Sequence, residues 1–233
     1  MNTLFGGIIL IILALMLLVV GEGFLISKIS VLMNTEGIIG NVLSSIPLLV
    51  IMLGCVILST IAISASSISF EGKNIWILKS NPISYKKVFA SKIFTNFIIC
   101  FVCVIISSLF FGPSFILEHG AIGIAYILGY VIITGLFSFI ISCSGLFVNL
   151  IFPKLEWQSE TEIIKQSIAA GVALLANMIL AILCILPIVI TILLTTGYLS
   201  LICIPISILL EVIIIIVLVV LLNTIGKKLY NNL

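Results

Sequence analysis

Long apolar runs separated by short polar segments are the dominant pattern of this chain of 233 residues. The runs are continuous and do not alternate with a period of two, which favours membrane helices over the strands of a membrane barrel. A run of about 20 apolar residues can cross a hydrocarbon core of roughly 30 Å as a helix. The pattern predicts about six spans, at residues 4–26, 44–68, 93–112, 121–150, 166–194 and 200–223.

Composition leads to the same class of protein. Hydrophobic residues make up 63% of the chain, charged residues make up 8%, and the mean hydropathy is +1.51. A water-soluble fold of this size needs far more polar surface. We therefore predict an all-α integral membrane protein, a polytopic bundle that forms a single transmembrane domain over residues 1–233. The first run is expected to be a span and not a cleaved signal peptide, because residues 1–3 carry no lysine or arginine.

The distribution of the lysines predicts the orientation of the bundle. If the N and C termini are both cytoplasmic, nine of the ten lysines lie on the inner side and only Lys28 lies outside. This bias follows the positive-inside rule. The pattern therefore predicts cytoplasmic termini and two main cytoplasmic loops, at about residues 69–92 and 151–166.

The first cytoplasmic loop, at about residues 69–92, holds five of the ten lysines. Apolar residues alternate with lysines around Trp76, which predicts a short amphipathic helix at the membrane boundary. Asn81 is expected to cap the next helix, with Pro82 at its first position and a basic first stretch. From composition alone, the loop is either a solvated basic segment that fixes the topology or a contact surface for another protein.

The order of the residues in this loop resembles the first cytoplasmic loop of bacterial type-2 ABC exporter permeases, especially a clostridial-type group. The matching residues are Glu71, Gly72, Lys73, Trp76, Leu78, Lys79, Pro82, Ile83, Ser84, Ala90 and Lys92. The resemblance implies that this loop carries a helix that docks on a separate ATPase subunit. The coupling residues that it implies are Glu71, Gly72, Lys73, Trp76, Leu78, Lys79 and Pro82.

The second cytoplasmic loop resembles a loop of the same group, with the pattern Pro-x-x-x-Trp…Glu…Lys-Gln. The matching residues are Pro153, Trp157, Glu160, Lys165 and Gln166. The resemblance runs from about residue 55 to 170 and implies a permease in the bacterial cytoplasmic membrane. Many members of the group are about twice this length and carry the motifs in their second half, which leaves a homodimer and a heterodimer open. The family exports lipids, peptides, drugs or polysaccharide.

The partners of the chain follow from what its motifs lack and from the resemblance. No GxxxxGK[ST] loop is present, so we expect no nucleotide to bind to this chain through a P-loop. The chain is not expected to be an enzyme or to hold a cofactor or metal. The resemblance implies an ABC ATPase subunit and a second permease copy or half as partners within the lipid bilayer. No nucleic acid partner is expected.

Glu211 stands near the middle of the sixth predicted span. An ionisable group at that depth is costly and should face protein or water, not lipid. It is either a cavity-lining or proton-sensitive group, or a protonated carboxyl hydrogen-bonded to a neighbour such as Asn177. Two alternatives to the permease therefore stay open: a secondary transporter or channel with Glu211 as its coupling carboxylate, and a non-transporting immunity or assembly protein.

Three weaker signals predict packing and not chemistry. All six cysteines, including the Cys100 and Cys103 pair, lie in apolar runs and are expected to be reduced. The one histidine, His119, is expected to be a solvated residue of an outer loop at 112–120. Small residues spaced by four predict close helix contacts in two rows, which are Ala121, Ala125 and Gly129, and Ala169, Ala173, Asn177 and Ala181.

Overall fold

The computed structural model describes residues 2–20, 45–61, 63–80, 83–157, 163, 167–194 and 201–232. Within these residues the regular structure is helical, without a β-strand. The α-helices are α1 Asn2–Val20, α2 Ile46–Ser59, α3 Ile75–Ser80, α4 Tyr85–His119, α5 Ala121–Ile151, α6 Ile168–Leu194, α7 Cys203–Leu221 and α8 Lys227–Asn232. Two short 3-10 segments, Ile63–Ser66 and Ser69–Asn74, follow α2, and a π-helical turn, Leu222–Gly226, joins α7 to α8.

Helices of membrane-spanning length dominate the described part of the chain. Five stretches are long and apolar enough to cross a membrane, at Ile46–Gly72, Tyr85–His119, Ala121–Ile151, Ile168–Leu193 and Cys203–Asn232. A shorter apolar helix covers Gly6–Val19. Large apolar side chains cover the outside of the bundle, as at Leu117, which is 84% exposed. The architecture is that of an all-α, multi-pass membrane protein, as the hydropathy pattern predicts.

Helix α5 lies at the centre of the bundle and packs against α2, α4, α6 and α7. Its apolar side chains Ile133, Phe137 and Ile140 are fully buried. Three hydroxyl groups on the helix donate hydrogen bonds to the carbonyl oxygen four residues earlier, those of Thr134, Ser138 and Ser142. Polar side chains can therefore lie in the core of this helix without leaving their donors unpaired.

Two hydrogen bonds between side chains tie α4 to α5. Asn96 donates to Ser142 Oγ at 2.8 Å, and the hydroxyls of Ser107 and Tyr130 lie 2.8 Å apart. All four groups are buried. Bonds of this kind supplement the van der Waals packing that holds membrane helices together.

The predicted outer loop at residues 112–120 is wrong. Helix α4 continues through Pro113 to His119, and α5 begins at Ala121. Only Gly120 makes the turn, with a φ of +58° that L side chains rarely adopt. His119 is thus helical and half-buried, with its ring edge-on to Tyr126. The Gly-Pro-Ser sequence suggested a loop, but helix-breaking residues are tolerated in membrane helices.

Another predicted helix boundary is also wrong. Helix α4 begins at Tyr85 with Ser84 at its N-cap position, and not at Pro82 behind a cap at Asn81. Asn81 and Pro82 themselves lie outside the described residues. The span predicted at residues 44–68 corresponds to the apolar stretch Ile46–Gly72, in which α2 ends at Ser59 and 3-10 turns continue the chain. The basic start predicted for α4 is present, because Lys86 lies in its first turn.

The small residues and the cysteines pack inside the chain. In the row on α6 every member is buried, namely Ala169, Ala173, Asn177 and Ala181. In the row on α5 only Gly129 is buried, next to Ile204 of α7. All six cysteines are free thiols, and all are buried except Cys103, which is half-buried. Packing inside the chain therefore explains the row on α6, Gly129 and the cysteines, but not Ala121, which is exposed, or Ala125, which is half-buried.

The turn at Gly120 gives a prediction about stability. An added Cβ at Gly120 meets no atom within 4 Å, so Gly120→Ala changes only the backbone strain. We expect it to lower the free energy of unfolding by about 1–3 kcal/mol. Gly171 in α6 is the matched control, because its Cβ also meets no atom within 4 Å. Gly171→Ala should keep or raise stability, since alanine favours a helix. Unfolding in mixed detergent micelles measures the free energy of unfolding of both variants. An equal change in Gly120→Ala and Gly171→Ala would contradict a strained backbone at position 120.

Candidate functional site

The two predicted cytoplasmic loops meet at one end of the bundle, where Asn149 near the end of α5 binds the start of the first loop. The Asn149 side-chain oxygen accepts hydrogen bonds from the backbone N–H groups of Ile68, at 2.7 Å, and Ser69, at 3.1 Å. Its side-chain nitrogen donates to Ser69 Oγ at 2.8 Å. Asn149 and Ser69 are both fully buried. This buried amide therefore fixes the position of the loop against α5.

The second loop binds the same serine. After α5 the chain runs without regular structure over residues 153–157. The backbone N–H of Lys154 donates to Ser69 Oγ at 3.0 Å, and Trp157 Nε1 donates to the Ser69 carbonyl oxygen at 3.1 Å. Ser69 thus joins the first loop to α5 and to the second loop. We call the group formed by Ser69, Glu71, Gly72, Asn149 and Trp157 the loop junction.

Gly72 is required in the loop junction for two reasons. Its φ is +52°, in the region that favours glycine. A Cβ on Gly72 would lie 2.8 Å from Trp157 Nε1 and 3.2 Å from the carbonyl oxygen of Leu155. The glycine therefore allows both the turn of the first loop and the close approach of the second loop.

Glu71 ties the loop junction to helices α4 and α8. Its carboxylate forms an ion pair with Lys92 of α4, and both side chains are about three-quarters buried. Tyr230 of α8 lies within electrostatic range of Glu71 and packs edge-on against Phe89 of α4, with 5.6 Å between the ring centroids. The first loop, the second loop and helices α4, α5 and α8 therefore converge at this end of the bundle.

The structure places the implied coupling residues in and beside the loop junction. Glu71 and Gly72 belong to it, and the backbones of Lys73, Trp76, Leu78 and Lys79 lie in the 3-10 segment and in α3. The side chains of these four residues, and the whole of Pro82, lie outside what the structure describes. Helix α3 is the short helix that the sequence predicts, and its Ile77 is 45% exposed.

Sequence analysis missed Ser69 and Asn149. Asn149 falls inside the predicted fourth span, where a single amide among apolar residues has little effect on hydropathy. The amide of Asn149 lies near the end of a buried helix, and a buried amide needs hydrogen-bond partners. That need was the signal in the sequence that could have identified it. Its partners come from residues about 80 positions away in the chain, so the sequence could not identify them.

A second candidate site is a row of buried polar side chains on α7. The buried residues of this helix are Cys203, Ser207 and Glu211, spaced by four so that they share one face. The opposite side is apolar and open, as at Leu209, which is 64% exposed. Helix α7 therefore presents polar groups to the bundle and apolar groups to the outside, as an ionisable residue in a span requires. We call these three residues the polar row.

Glu211 lies between helices and makes no hydrogen bond within the described residues. The thiols of Cys55 in α2 and Cys184 in α6 lie within electrostatic range of its carboxyl group. Neither Glu211 oxygen has a hydrogen-bond partner in the described part of the chain, and neither does Ser207 Oγ. An ionised carboxylate without a partner in this setting would be costly.

The hydrogen bond that one interpretation predicts between Glu211 and Asn177 does not form. The Asn177 side-chain oxygen accepts a hydrogen bond from Ser144 Oγ of α5 at 2.5 Å. Its side-chain nitrogen, like both Glu211 oxygens, has no partner among the residues that the structure describes. Asn177 therefore links α6 to α5, and it does not pair with the carboxyl group of Glu211.

No protein-family profile matches this chain, and neither does a curated protein or a solved structure. The similarity to type-2 ABC exporter permeases therefore rests on the residues of the two loops. The structure adds that these loops are bonded to each other through Ser69.

The loop junction predicts an effect for Ser69→Ala. This change leaves the Asn149 amide and the Lys154 N–H without their acceptor, and an unpaired buried donor costs about 1–3 kcal/mol. Ser67 is the matched control, because its hydroxyl bonds only locally to the Ser64 carbonyl oxygen. We expect faster amide hydrogen exchange across residues 69–80 and 153–157 in Ser69→Ala but not in Ser67→Ala. Unchanged exchange in Ser69→Ala would show that these bonds do not hold the loops.

The polar row predicts how substitutions of Glu211 affect stability. Glu211→Met keeps the volume and removes two buried oxygens that have no described partner, so the melting temperature in detergent should stay equal or rise. Glu211→Gln should assemble, whereas Glu211→Lys should not, because it introduces a buried cation. Glu156, which is exposed, is the control, and Glu156→Met should change little. A clear loss of stability in Glu211→Met would mean that the carboxyl group has a stabilising partner.

Proposed function

We propose that this chain is the transmembrane permease subunit of an ATP-driven exporter of the type-2 ABC class, coupled to a separate ATPase subunit. The observation that carries the proposal is the loop junction. The two loops that resemble those of exporter permeases bind each other through Ser69 and Trp157, and Gly72 permits their close contact. Helix α3, which follows this junction directly, is the docking element.

The links of the loop junction supply a route from α3 into the bundle. The Glu71–Lys92 ion pair connects the first loop to α4, and the Asn149 amide connects it to α5. Trp157 connects it to the segment that leads toward α6. Since α5 packs against α2, α4, α6 and α7, a push on α3 by a docked ATPase would reach the centre of the bundle. Two permease copies, or this chain with another half, would enclose the pathway and bind two ATPase subunits.

The proposed orientation puts the loop junction and both termini in the cytoplasm of a bacterium. Lys86 lies in the first turn of α4, and Lys227 is the first residue of α8, where its Nζ lies 5.4 Å from the centroid of the Tyr85 ring. Lysines from distant parts of the chain thus lie at the same end of the bundle. A cluster of positively charged lysines is typical of the cytoplasmic side of the membrane.

A secondary transporter or channel is the second candidate, and the polar row favours it. Glu211 could then take up and release a proton as the pathway changes state. In this case Glu211→Met would abolish substrate movement, and changes in α3 would have no effect on it. A non-transporting membrane protein would depend on neither site.

The docking proposal is tested by copurification and binding. The chain is isolated from its native membranes, the ATPase that copurifies is identified, and the affinity of that ATPase for permease variants is measured. Removing the apolar anchors with Trp76→Ala and Leu78→Ala together should weaken binding at least roughly tenfold, the scale of an interface hot spot. Stimulation of ATP hydrolysis by the permease should fall in parallel.

Two controls separate docking from a general loss of structure. Ile168 at the start of α6 is 71% exposed and lies at the same end of the bundle, so Ile168→Ala should bind the ATPase like the parent. Lys28→Ala changes the predicted outer loop and should also have no effect. The proposal fails if no ATPase copurifies, or if the double variant binds and stimulates the ATPase like the parent.

A further inference from the structure

An apolar groove opens on the side of the bundle between the start of α4 and the end of α7. Its volume is about 400 Å³. Aromatic and aliphatic side chains from three helices form its walls, chiefly Phe89, Ile93, Phe139 and Leu222. Polar lining comes from Lys86 and Asn223. A concave site of this kind suits a ligand with an apolar body and a polar head.

Positive charge is concentrated at the Lys86 end of the groove. Lys86 lies in the first turn of α4, next to the exposed Lys87, and Lys227 of α8 lies over the nearby Tyr85 ring. Glu71, the carboxylate in contact with α4 here, is already paired with Lys92. The ammonium group of Lys86 therefore has an anionic ligand as its natural complement.

The order of polar and apolar groups along the groove matches that of a phospholipid, and the groove is long enough for part of an acyl chain. From Lys86 to Ile93 is about 10 Å along the axis of α4, and the wall beyond Lys86 is apolar. A phosphate at Lys86 would thus lie above an acyl chain that contacts Phe89, Ile93 and Phe139. A lipid of the surrounding membrane accounts for this order of polar and apolar groups, without a soluble ligand.

A π-helical turn forms one wall of the groove. Leu222 and Asn223 line the groove and open the π-helical turn Leu222–Gly226. Turns of this kind are rare and are frequent at functional sites. The chain departs from α-helical geometry at the place where the groove opens, which is an observation independent of the lysines.

We propose that this groove binds an anionic phospholipid, with the phosphate at Lys86 and an acyl chain along α4. In the orientation proposed above, the lysine-rich end of the bundle faces the leaflet where anionic lipids attract basic side chains. The groove takes this orientation from the proposed function but needs neither an ATPase partner nor the polar row. A zwitterionic lipid is the alternative occupant, and the following experiment distinguishes the two.

The experiment measures lipid binding to the full chain in detergent micelles by native mass spectrometry, with dioleoylphosphatidylglycerol and dioleoylphosphatidylcholine. The parent should bind phosphatidylglycerol more tightly. Lys86→Ala should weaken phosphatidylglycerol binding by roughly fivefold, the scale of one lysine near an anionic lipid, and leave phosphatidylcholine binding unchanged. Ala90 also lines the groove and is exposed, so Ala90→Trp should fill the space and weaken the binding of both lipids.

Lys87→Ala is the matched control, because Lys87 is the next residue and is not part of the groove lining. Because Lys87 adds to the positive charge near the groove without lining it, Lys87→Ala should weaken phosphatidylglycerol binding by less than Lys86→Ala and leave phosphatidylcholine binding unchanged. Size-exclusion profiles and helical circular dichroism confirm that each variant is folded, and Ala90→Leu replaces Ala90→Trp if the larger side chain disturbs the bundle. Equal affinity of the parent for the two lipids, equal losses in Lys86→Ala and Lys87→Ala, or parent-like binding by folded Ala90 variants would each overturn the proposal.

Discussion

The hydrogen bonds of Asn149 fix the first loop against α5, at the end of the bundle on which the proposed docking of an ATPase depends. One buried amide pairs with two backbone N–H groups and one hydroxyl of the first loop. Because buried polar groups without partners are costly, the loop has little freedom to leave α5. The packing of Trp157 over Gly72 and the ion pair of Glu71 with Lys92 both require the loop to be in this position. A single side chain thus sets the geometry of five segments.

The polar row differs from the loop junction in the hydrogen bonding of its buried groups. In the loop junction the buried polar groups bond to each other, whereas both oxygens of Glu211 lack partners in the described residues. Such a group adds nothing to stability that an apolar side chain of similar volume would not add. In the second candidate function, a proton or a polar substrate would be the partner of this carboxyl group.

Helix α4 connects the proposed lipid groove to the loop junction. Lys86 and Phe89 line the groove, whereas Lys92, less than two turns further along, pairs with Glu71. Phe89 also packs edge-on against Tyr230 of α8. A lipid in the groove would therefore contact the same helix turns that hold the docking loop.

The sequence by itself determined the class of the protein and much of its helix pattern. Apolar runs predict helices because every backbone polar group in lipid needs a hydrogen-bond partner, which a helix supplies within the same segment of the chain. The sequence also predicted the short helix α3 and the burial of the small residues on α6. Tertiary structure decided the rest. Pro113 stays inside α4, Gly120 alone makes the turn, and Asn149 finds Ser69 about 80 residues away. These features depend on which distant groups meet, and hydropathy carries no information about partners.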